Sequence, residues 1–174
     1  MAKQFDVVVI GGGLAGASCA LSVAKTNPAL NIAVVEANQV TGDYHPSFDD
    51  RSIALAQQSV EYLQSLNLFE QNAPYTAAIK KVSVSDRGHF GKAHINCDEF
   101  AKPSLGYVVE VNPFGRALHL RLTQSNITLL CPDSVIAIEQ TLHSNTLTLQ
   151  SGEQLSAALL VIADGAQSPT RNLL

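Results

Sequence analysis

Three consecutive glycines that directly follow a run of apolar, mostly β-branched residues constrain this chain more than any other feature. The stretch reads VVVIGGGLAGAS and places Val7–Ile10 immediately before Gly11–Gly13. Glycine weakens strands and does not favour helices, so this placement indicates a sharp turn. We predict a buried parallel strand over Val7–Ile10, a turn, and then a helix over Leu14–Lys25 that packs back on the strand.

The spacing of the glycines gives each of them a separate task. Gly11, Gly13 and Gly16 match the pattern G-x-G-x-x-G. In that pattern the first glycine permits a tight turn, the second lets the backbone approach a pyrophosphate, and the third allows close packing of helix and strand. Free N–H groups at the start of the helix, around Leu14 and Ala15, favour an anion. The stretch therefore predicts a dinucleotide site.

A second predicted strand, Asn31–Glu36, ends in an acidic residue 23 positions after Gly13. A carboxylate at this point can accept hydrogen bonds from both hydroxyls of an adenosine ribose. It would also repel a phosphate on that ribose, which favours FAD or NAD over NADP. The alternative is that Glu36 is only a solvated strand end.

Composition excludes several other classes of protein. The chain has 174 residues, of which 46% are hydrophobic and 15% charged, which is typical of one soluble globular domain. Its net charge is −4 and it has no basic run, so we expect no nucleic-acid partner. Asp6 and the glycines interrupt the apolar N-terminus, which disfavours a signal peptide or a membrane span.

Cysteines and histidines do not form a recognisable metal or redox pattern. Cys19, Cys97 and Cys131 are far apart and include no CxxC pair, which favours reduced, mostly buried thiols in a cytosolic protein. The histidines match no standard ligand spacing, so we expect no metal. They are His45, His89, His94, His119 and His143. A hydrolase triad that includes Ser168 is disfavoured because there is no G-x-S-x-G elbow.

Hydrophobic patterns predict further elements along the chain. Helices are expected over Ser52–Leu66 and from Asn112 or Pro113 to Leu122, and a polar loop over Asp86–Pro103. Strands are expected at Ile79–Asp86, Leu105–Val111, Ile127–Leu130, Ser134–Glu139, Thr146–Leu149 and Ala158–Ala163.

The last of these strands leads into the stretch LLVIADGAQSPTR, a second glycine turn after an apolar strand. Alone, Asp164-Gly165 could be an ordinary turn. The full order, however, is glycine turn, acidic strand end, three meandering strands, and then apolar strand with ADG. This order resembles the flavoprotein aromatic hydroxylases. The resemblance implies that Asp164 and Gly165 lie near the FAD pyrophosphate and take part in FAD and NAD(P)H binding.

Three segments from the middle of the chain narrow the resemblance to the ubiquinone-biosynthesis branch of that family. They are HPSFDDRSIALA, VSDRGHFG and LGYVVE. The resemblance implies that Arg51, at the start of the predicted second helix, reaches the FAD; its alternative is a solvated arginine paired with Asp49 or Asp50. It also implies that Arg116 hydrogen-bonds the cofactor and that the backbone of Val135 meets the adenine edge. No catalytic residue is nominated.

The fold class that follows is α/β: a Rossmann-like FAD-binding fold of the glutathione-reductase and para-hydroxybenzoate-hydroxylase type, with a parallel sheet and a β-meander. Residues 1–174 are expected to be part of an FAD-binding domain, with 76–106 contributing to a substrate-domain sheet. The resemblance implies a monooxygenase in which NAD(P)H, as a transient reductant, reduces tightly bound FAD. A flavin hydroperoxide formed with O2 then hydroxylates an electron-rich ring.

The resemblance also implies partners: a polyprenyl phenol substrate, a ubiquinone-biosynthesis protein complex, and peripheral contact of a cytoplasmic protein with the membrane. The chain ends ten residues after Asp164, whereas family members continue about as far again. The expectation is therefore a truncated piece of such an enzyme that does not hydroxylate by itself. Alternatives are a non-catalytic dinucleotide-binding module and an NAD-dependent Rossmann dehydrogenase.

Overall fold

The computed structural model describes residues 2–39, 48–70 and 73–174. His45 and the start of the HPSFDDRSIALA segment lie outside the described residues. The chain divides into two compact units, which are described separately. The first consists of Met1–Asp49 together with Gly115–Leu174, and the second of Asp50–Phe114.

The described residues form eleven strands and three α-helices. The strands are β1 (Lys3–Ile10), β2 (Ile32–Val35), β3 (Ser52–Ala56), β4 (Thr76–Ile79), β5 (Lys81–Ser85), β6 (Lys92–Asn96), β7 (Gly106–Glu110), β8 (Thr128–Leu130), β9 (Val135–Gln140), β10 (Asn145–Leu149) and β11 (Gln154–Ile162). The helices are α1 (Leu14–Thr26), α2 (Gln57–Ser65) and α3 (Val111–Thr123), with short 3-10 helices at Cys97–Phe100 and Thr170–Leu173.

A six-stranded sheet organises the first unit, in the order β8-β2-β1-β11-β10-β9. Strands β8, β2, β1 and β11 run parallel, and β11, β10 and β9 form an antiparallel meander. The three strands expected to meander before the ADG strand are those predicted at Ile127–Leu130, Ser134–Glu139 and Thr146–Leu149, and this prediction is wrong for the first of them. It becomes β8 and pairs in parallel with β2, because a strand that returns after a helical crossover can run parallel to its neighbour.

The core of the first unit lies on both faces of β1 and β2. The last four residues of β1 and all four of β2 are buried. Helix α1 packs on these strands and buries Ala17, Ala20 and Leu21. This burial explains why both strands read as uninterrupted apolar runs.

Strand β11 differs from the prediction in length and burial. It begins at Gln154 instead of Ala158, and Leu159 is 55% exposed although the run was predicted to be buried. An apolar run indicates only that a strand can be buried. Which part of the strand is covered depends on the elements that pack against it.

A three-stranded antiparallel sheet, in the order β3-β7-β4, forms the second unit together with α2. Phe69 packs edge-to-face on Tyr107 and Phe114, with ring centroids 5.5 and 6.2 Å apart. The helix predicted over Ser52–Leu66 is wrong for its first five residues, Ser52–Ala56, which form β3. Short apolar segments can form either a helix or a strand, and here the pairing with β7 makes this segment a strand.

The second unit also contains a hairpin of β5 and β6. The polar loop predicted over Asp86–Pro103 is therefore wrong, since it includes β6 and the 3-10 helix Cys97–Phe100. The strand predicted at Ile79–Asp86 is divided between β4 and β5 at Lys80. The role of residues 76–106 in a substrate-domain sheet stays a prediction. Among the described residues, no helix has the length and apolar character needed to cross a bilayer.

Candidate nucleotide-binding site

The carboxyl ends of three parallel strands meet beside one cavity of the first unit. Ile10 at the end of β1 pairs with Val35 of β2 on one side and with Ile162 of β11 on the other. From β1 the chain continues through α1 to β2 on one side of β1, whereas the neighbour on the other side is β11, a strand from much later in the chain, so this is a switch point of the sheet. The cavity has a volume of about 380 Å³, within the range of small-molecule sites.

The turn after β1 requires glycine at position 11. Gly11 has φ = +99°, its N–H donates to Val35 O at 2.8 Å, and Ile10 O accepts from Ala163 N–H at 2.7 Å. A Cβ at Gly11 would lie 2.5 Å from Ala163 O and 2.9 Å from Asp164 Cα. The bare backbone therefore lets the ends of β1 and β11 come together, as expected for a tight turn.

Helix α1 begins directly at the cavity. Gly13 is its N-cap residue, and no side chain of the described residues caps it. Leu14 and Ala15 line the cavity with Gly13, so the unpaired N–H groups of the first turn are available to a ligand. A Cβ at Gly16 would collide with the Gly11 carbonyl oxygen, so this glycine permits the close contact between helix and turn.

Glu36 lies buried at the end of β2, with only 4% of its surface exposed, and it lines the cavity. Its Oε2 accepts from Gly12 N–H at 2.6 Å, and its Oε1 accepts from Asn38 N–H at 2.7 Å. The alternative of a solvated strand end is therefore wrong. The carboxylate is held in place by the backbone of the glycine turn and of the chain after β2.

Asp164 contributes a second carboxylate to the cavity wall. Its Oδ2 accepts from Thr170 N–H at 3.2 Å, whereas Oδ1 is buried without a hydrogen-bond partner in the described part of the chain. Burial raises the pKa of Asp164, but hydrogen bonds from Ser168 and Thr170 outweigh this and hold the pKa below its usual value. An ionised acceptor with an unsatisfied oxygen is suited to a ligand hydroxyl.

The wall beside Glu36 is formed by the connection between β8 and β9. Asp133 N–H donates to Glu36 O at 2.9 Å, and Cys131 Sγ donates to Asn38 O at 3.3 Å. Burial, and secondarily the charge of Glu36, raises the pKa of the Cys131 thiol. This connection is therefore joined to the residues around Glu36 by both backbone and side-chain bonds.

The structure brings eight of the eleven predicted site residues together at this cavity. They are Gly11, Gly13, Leu14, Ala15, Glu36, Val135, Asp164 and Gly165. Gly16 and Arg116 are not among the residues that line the cavity: Gly16 contacts the Gly11 carbonyl of the turn, and Arg116 lies exposed on α3. Arg51 belongs to the second unit. It precedes β3 instead of beginning a helix, which corrects its predicted placement, and its backbone O accepts from Val111 N–H at 2.9 Å.

Several cavity residues could not be nominated from sequence patterns. Pro169 and Thr170 follow the ADG turn closely, and that proximity was the only signal for them. Asp133 and Ser134 belong to no motif; they lie in the connection from β8 to β9, which is hydrogen-bonded to the end of β2. Asn38, two residues after Glu36, could have been suspected from the strand end.

These features together fit a dinucleotide. The glycines of the turn have no side chains that would occupy the space of a pyrophosphate, and the start of α1 offers N–H donors. Two carboxylates can accept from hydroxyl groups. The volume suits the adenosine diphosphate part of such a ligand.

A family model described as pyridine nucleotide-disulphide oxidoreductase matches residues 5–173. The chain belongs to this family. The disulphide part of the family's description finds no counterpart in its three cysteines, which are free; Cys97 is buried, and Cys19 and Cys131 are half-buried.

Among curated relatives, ubiquinone hydroxylase UbiL of Rhodospirillum rubrum is 27% identical over 97% of this chain and 39% of its own length. The 3-demethoxyubiquinol 3-hydroxylase of Escherichia coli is 29% identical over 97% of this chain and 43% of its length. The predicted resemblance to ubiquinone-biosynthesis hydroxylases is confirmed. The chain spans about two fifths of the length of these relatives.

A likeness to solved structures supports the fold. The p-nitrophenol 4-monooxygenase PnpA from Pseudomonas putida aligns with a TM-score of 0.78 at 20% identity, over 99% of this chain and 44% of that one. The predicted Rossmann-like FAD-binding fold class is confirmed by the family match and by this likeness.

Proposed function

We propose that this chain binds the adenosine diphosphate part of FAD in the cavity at the ends of β1, β2 and β11. One observation carries the proposal: eight residues predicted from sequence motifs and from the family resemblance, in four separate stretches of the chain, line one cavity. The names of the relatives, which are hydroxylases of ubiquinone biosynthesis, support FAD as the dinucleotide.

Each group of residues has its own role in the proposal. The N–H groups of Gly13, Leu14 and Ala15 hold the pyrophosphate, and Glu36 accepts from the ribose hydroxyls. Oε2 of Glu36 accepts from Gly12 N–H, and Oε1 accepts from both the backbone and the side-chain N–H groups of Asn38, so a ribose hydroxyl bound at Oε1 would replace the bond from the Asn38 side chain. The backbone of Val135 meets the adenine, and Asp164 with Gly165 closes the pyrophosphate end. Arg51 and Arg116 are proposed as further contacts of the same cofactor.

The reaction proposed is hydroxylation of the aromatic ring of a polyprenyl phenol. Bound FAD would supply electron transfer from NAD(P)H and activation of O2, and the residues of this chain would bind and orient it. Within the ubiquinone branch, the resemblance of the HPSFDDRSIALA, VSDRGHFG and LGYVVE segments to octaprenyl-methoxyphenol hydroxylases supports a methoxyphenol ring as the proposed substrate. A polyprenyl substrate implies peripheral contact with a membrane from the cytoplasmic side, and association with other ubiquinone-biosynthesis proteins.

NAD is the second candidate ligand, because Glu36 suits any adenine dinucleotide with a free ribose 2′-hydroxyl. The two candidates separate in a binding experiment. The chain is titrated with FAD and, separately, with NAD, and binding is followed by flavin absorbance and by calorimetry. We expect saturable FAD binding that is tighter than NAD binding.

A matched pair of variants tests the site itself. Gly13→Val should abolish FAD binding, because the side chain takes the space of the pyrophosphate. Gly13 has φ = −66°, so the backbone accepts valine and the chain should still fold. Gly91→Val is the control, since Gly91 lies in the hairpin with nothing within 4 Å of an added Cβ. FAD affinity that is normal in Gly13→Val, or absent in the unaltered chain, would refute the proposed site.

A further inference from the structure

Asp133 makes an unusually connected set of hydrogen bonds on the wall of the cavity. Its Oδ1 accepts from Ser134 N–H at 2.8 Å and from Ser151 N–H at 3.3 Å, and its Oδ2 accepts from the Ser151 hydroxyl at 2.5 Å. Ser151 belongs to the turn between β10 and β11, eighteen residues away. One half-buried carboxylate therefore fastens the start of β9 to a distant turn.

The same residue is fastened to the end of β2 through its backbone. Asp133 N–H donates to Glu36 O at 2.9 Å, and Ser134 O accepts from Gln150 N–H at 2.8 Å. Asp133 thus lies between Glu36, which is proposed to hold the ribose, and Val135, which is proposed to meet the adenine. The distance between those two contacts depends on the path of residues 133–135.

We infer that Asp133 is a positioning residue for the adenosine end of the bound nucleotide, acting through Ser151 and the backbone of Ser134. The inference rests on the proposed function, because it assigns a task within that cavity. Asp133 sets the spacing of two contacts and makes neither of them itself.

Attraction between its charge and the phosphates of the ligand does not explain a carboxylate at this position. A negative group on the wall of a site for an anionic nucleotide repels the ligand. A direct electrostatic effect would therefore make every neutral variant bind more tightly. A positioning effect predicts weaker binding when the hydrogen bonds of Asp133 are lost, so it predicts weaker binding for alanine but not for asparagine. Asparagine can still accept from the two N–H groups and can donate to the Ser151 hydroxyl.

The experiment is calorimetric titration of the full chain with ADP, with urea denaturation of each variant measured in parallel. Asp133→Ala should raise the Kd for ADP by at least about fivefold, and Asp133→Asn by less than about twofold. Ser151→Ala should have an intermediate effect. The double variant Asp133→Ala with Ser151→Ala should bind within about twofold of Asp133→Ala alone, because the two side chains act together.

Thr141→Ala is the matched control for stability. Thr141 Oγ1 accepts from the N–H groups of His143 and Ser144 in the turn between β9 and β10, about 20 Å along the strand from Val135. This variant should lower the free energy of unfolding and leave the Kd for ADP unchanged. If it weakens ADP binding as much as Asp133→Ala does, the positioning role is wrong, since lost stability alone would account for the effect.

Failure of this inference can be told apart from failure of the proposed function. An unaltered chain that does not bind ADP refutes both. An unaltered chain that binds ADP, with Asp133→Ala and Ser151→Ala binding equally well or more tightly, refutes the positioning role alone. If Asp133→Ala does not fold, Ser151→Ala and Asp133→Asn still decide the question, because the first must weaken binding and the second must not.

Discussion

Replacement of Gly11 by alanine tests the physical basis of the turn that the cavity is built on. Two effects add at this position. The backbone has φ = +99°, which costs an L-residue about 1–2 kcal/mol. The new methyl group would also lie 2.5 Å from Ala163 O and 2.7 Å from Ala163 C, and overpacking of this kind costs about 1–3 kcal/mol. Gly11→Ala should therefore lower the free energy of unfolding by about 2–5 kcal/mol.

A second glycine separates the two effects. Gly152, in the turn between β10 and β11, has φ = +87° but nothing within 4 Å of an added Cβ. Gly152→Ala should therefore show the backbone cost alone, about 1–2 kcal/mol. The difference between the two variants measures the contact between the Gly11 turn and the start of the segment after β11.

The assay is urea denaturation followed by far-UV circular dichroism, since the chain has no tryptophan. FAD titration of the folded variants follows. Gly11→Ala should also weaken FAD binding, because the methyl group displaces residues 163–165 from the cavity wall. If the two variants lower the free energy of unfolding equally, within about 0.5 kcal/mol, the close contact between the Gly11 turn and Ala163 adds nothing to the cost of the substitution.

Two further predictions concern the carboxylates. Glu36→Ala should weaken FAD binding at least about tenfold, since a charge-assisted pair of hydrogen bonds to ribose is lost. It should also lower the free energy of unfolding, because Gly12 N–H and Asn38 N–H lose their acceptor. An unchanged Kd for FAD in titration would contradict the ribose role. The stability contributed by Asp164 should be present above its unfolded pKa of about 3.9 and be lost as the pH falls through its lower folded pKa. Urea denaturation between pH 6 and pH 3 should therefore show that the free energy of unfolding falls less with pH in Asp164→Asn than in the unaltered chain. The same dependence of this free energy on pH in both proteins would contradict the hydrogen-bonded ionised state.

Local chemistry determined the strand, turn and helix at the N-terminus, and these were predicted within a few residues. An apolar run, three glycines and a helix-forming segment allow few other conformations, because glycine adopts turn conformations that other residues rarely adopt. The acidic end of β2 could be interpreted in the same way, from its distance to the glycine turn. The ADG turn could not, because its role was implied only by the family resemblance that the order of elements along the whole chain carries.

The tertiary structure decided what the patterns left open. Ser52–Ala56 suited a helix by spacing but became β3 through its pairing with β7. Ile127–Leu130 had strand composition, yet only the crossover after α3 placed it beside β2 instead of in the meander. Propensity over five residues amounts to little free energy, so hydrogen bonds to a neighbouring strand override it.

The candidate site shows the same division between sequence and structure. Gly11 and Glu36 could be predicted because each belongs to a motif with a known geometry, and Asp164 because of the family resemblance. Asp133 and Ser151 could not, since they are eighteen residues apart and meet only where the meander brings its turn beside the end of β8. A sequence pattern reports which groups a short segment can present. The partners of those groups depend on contacts between distant segments, which form only when the whole sheet is assembled.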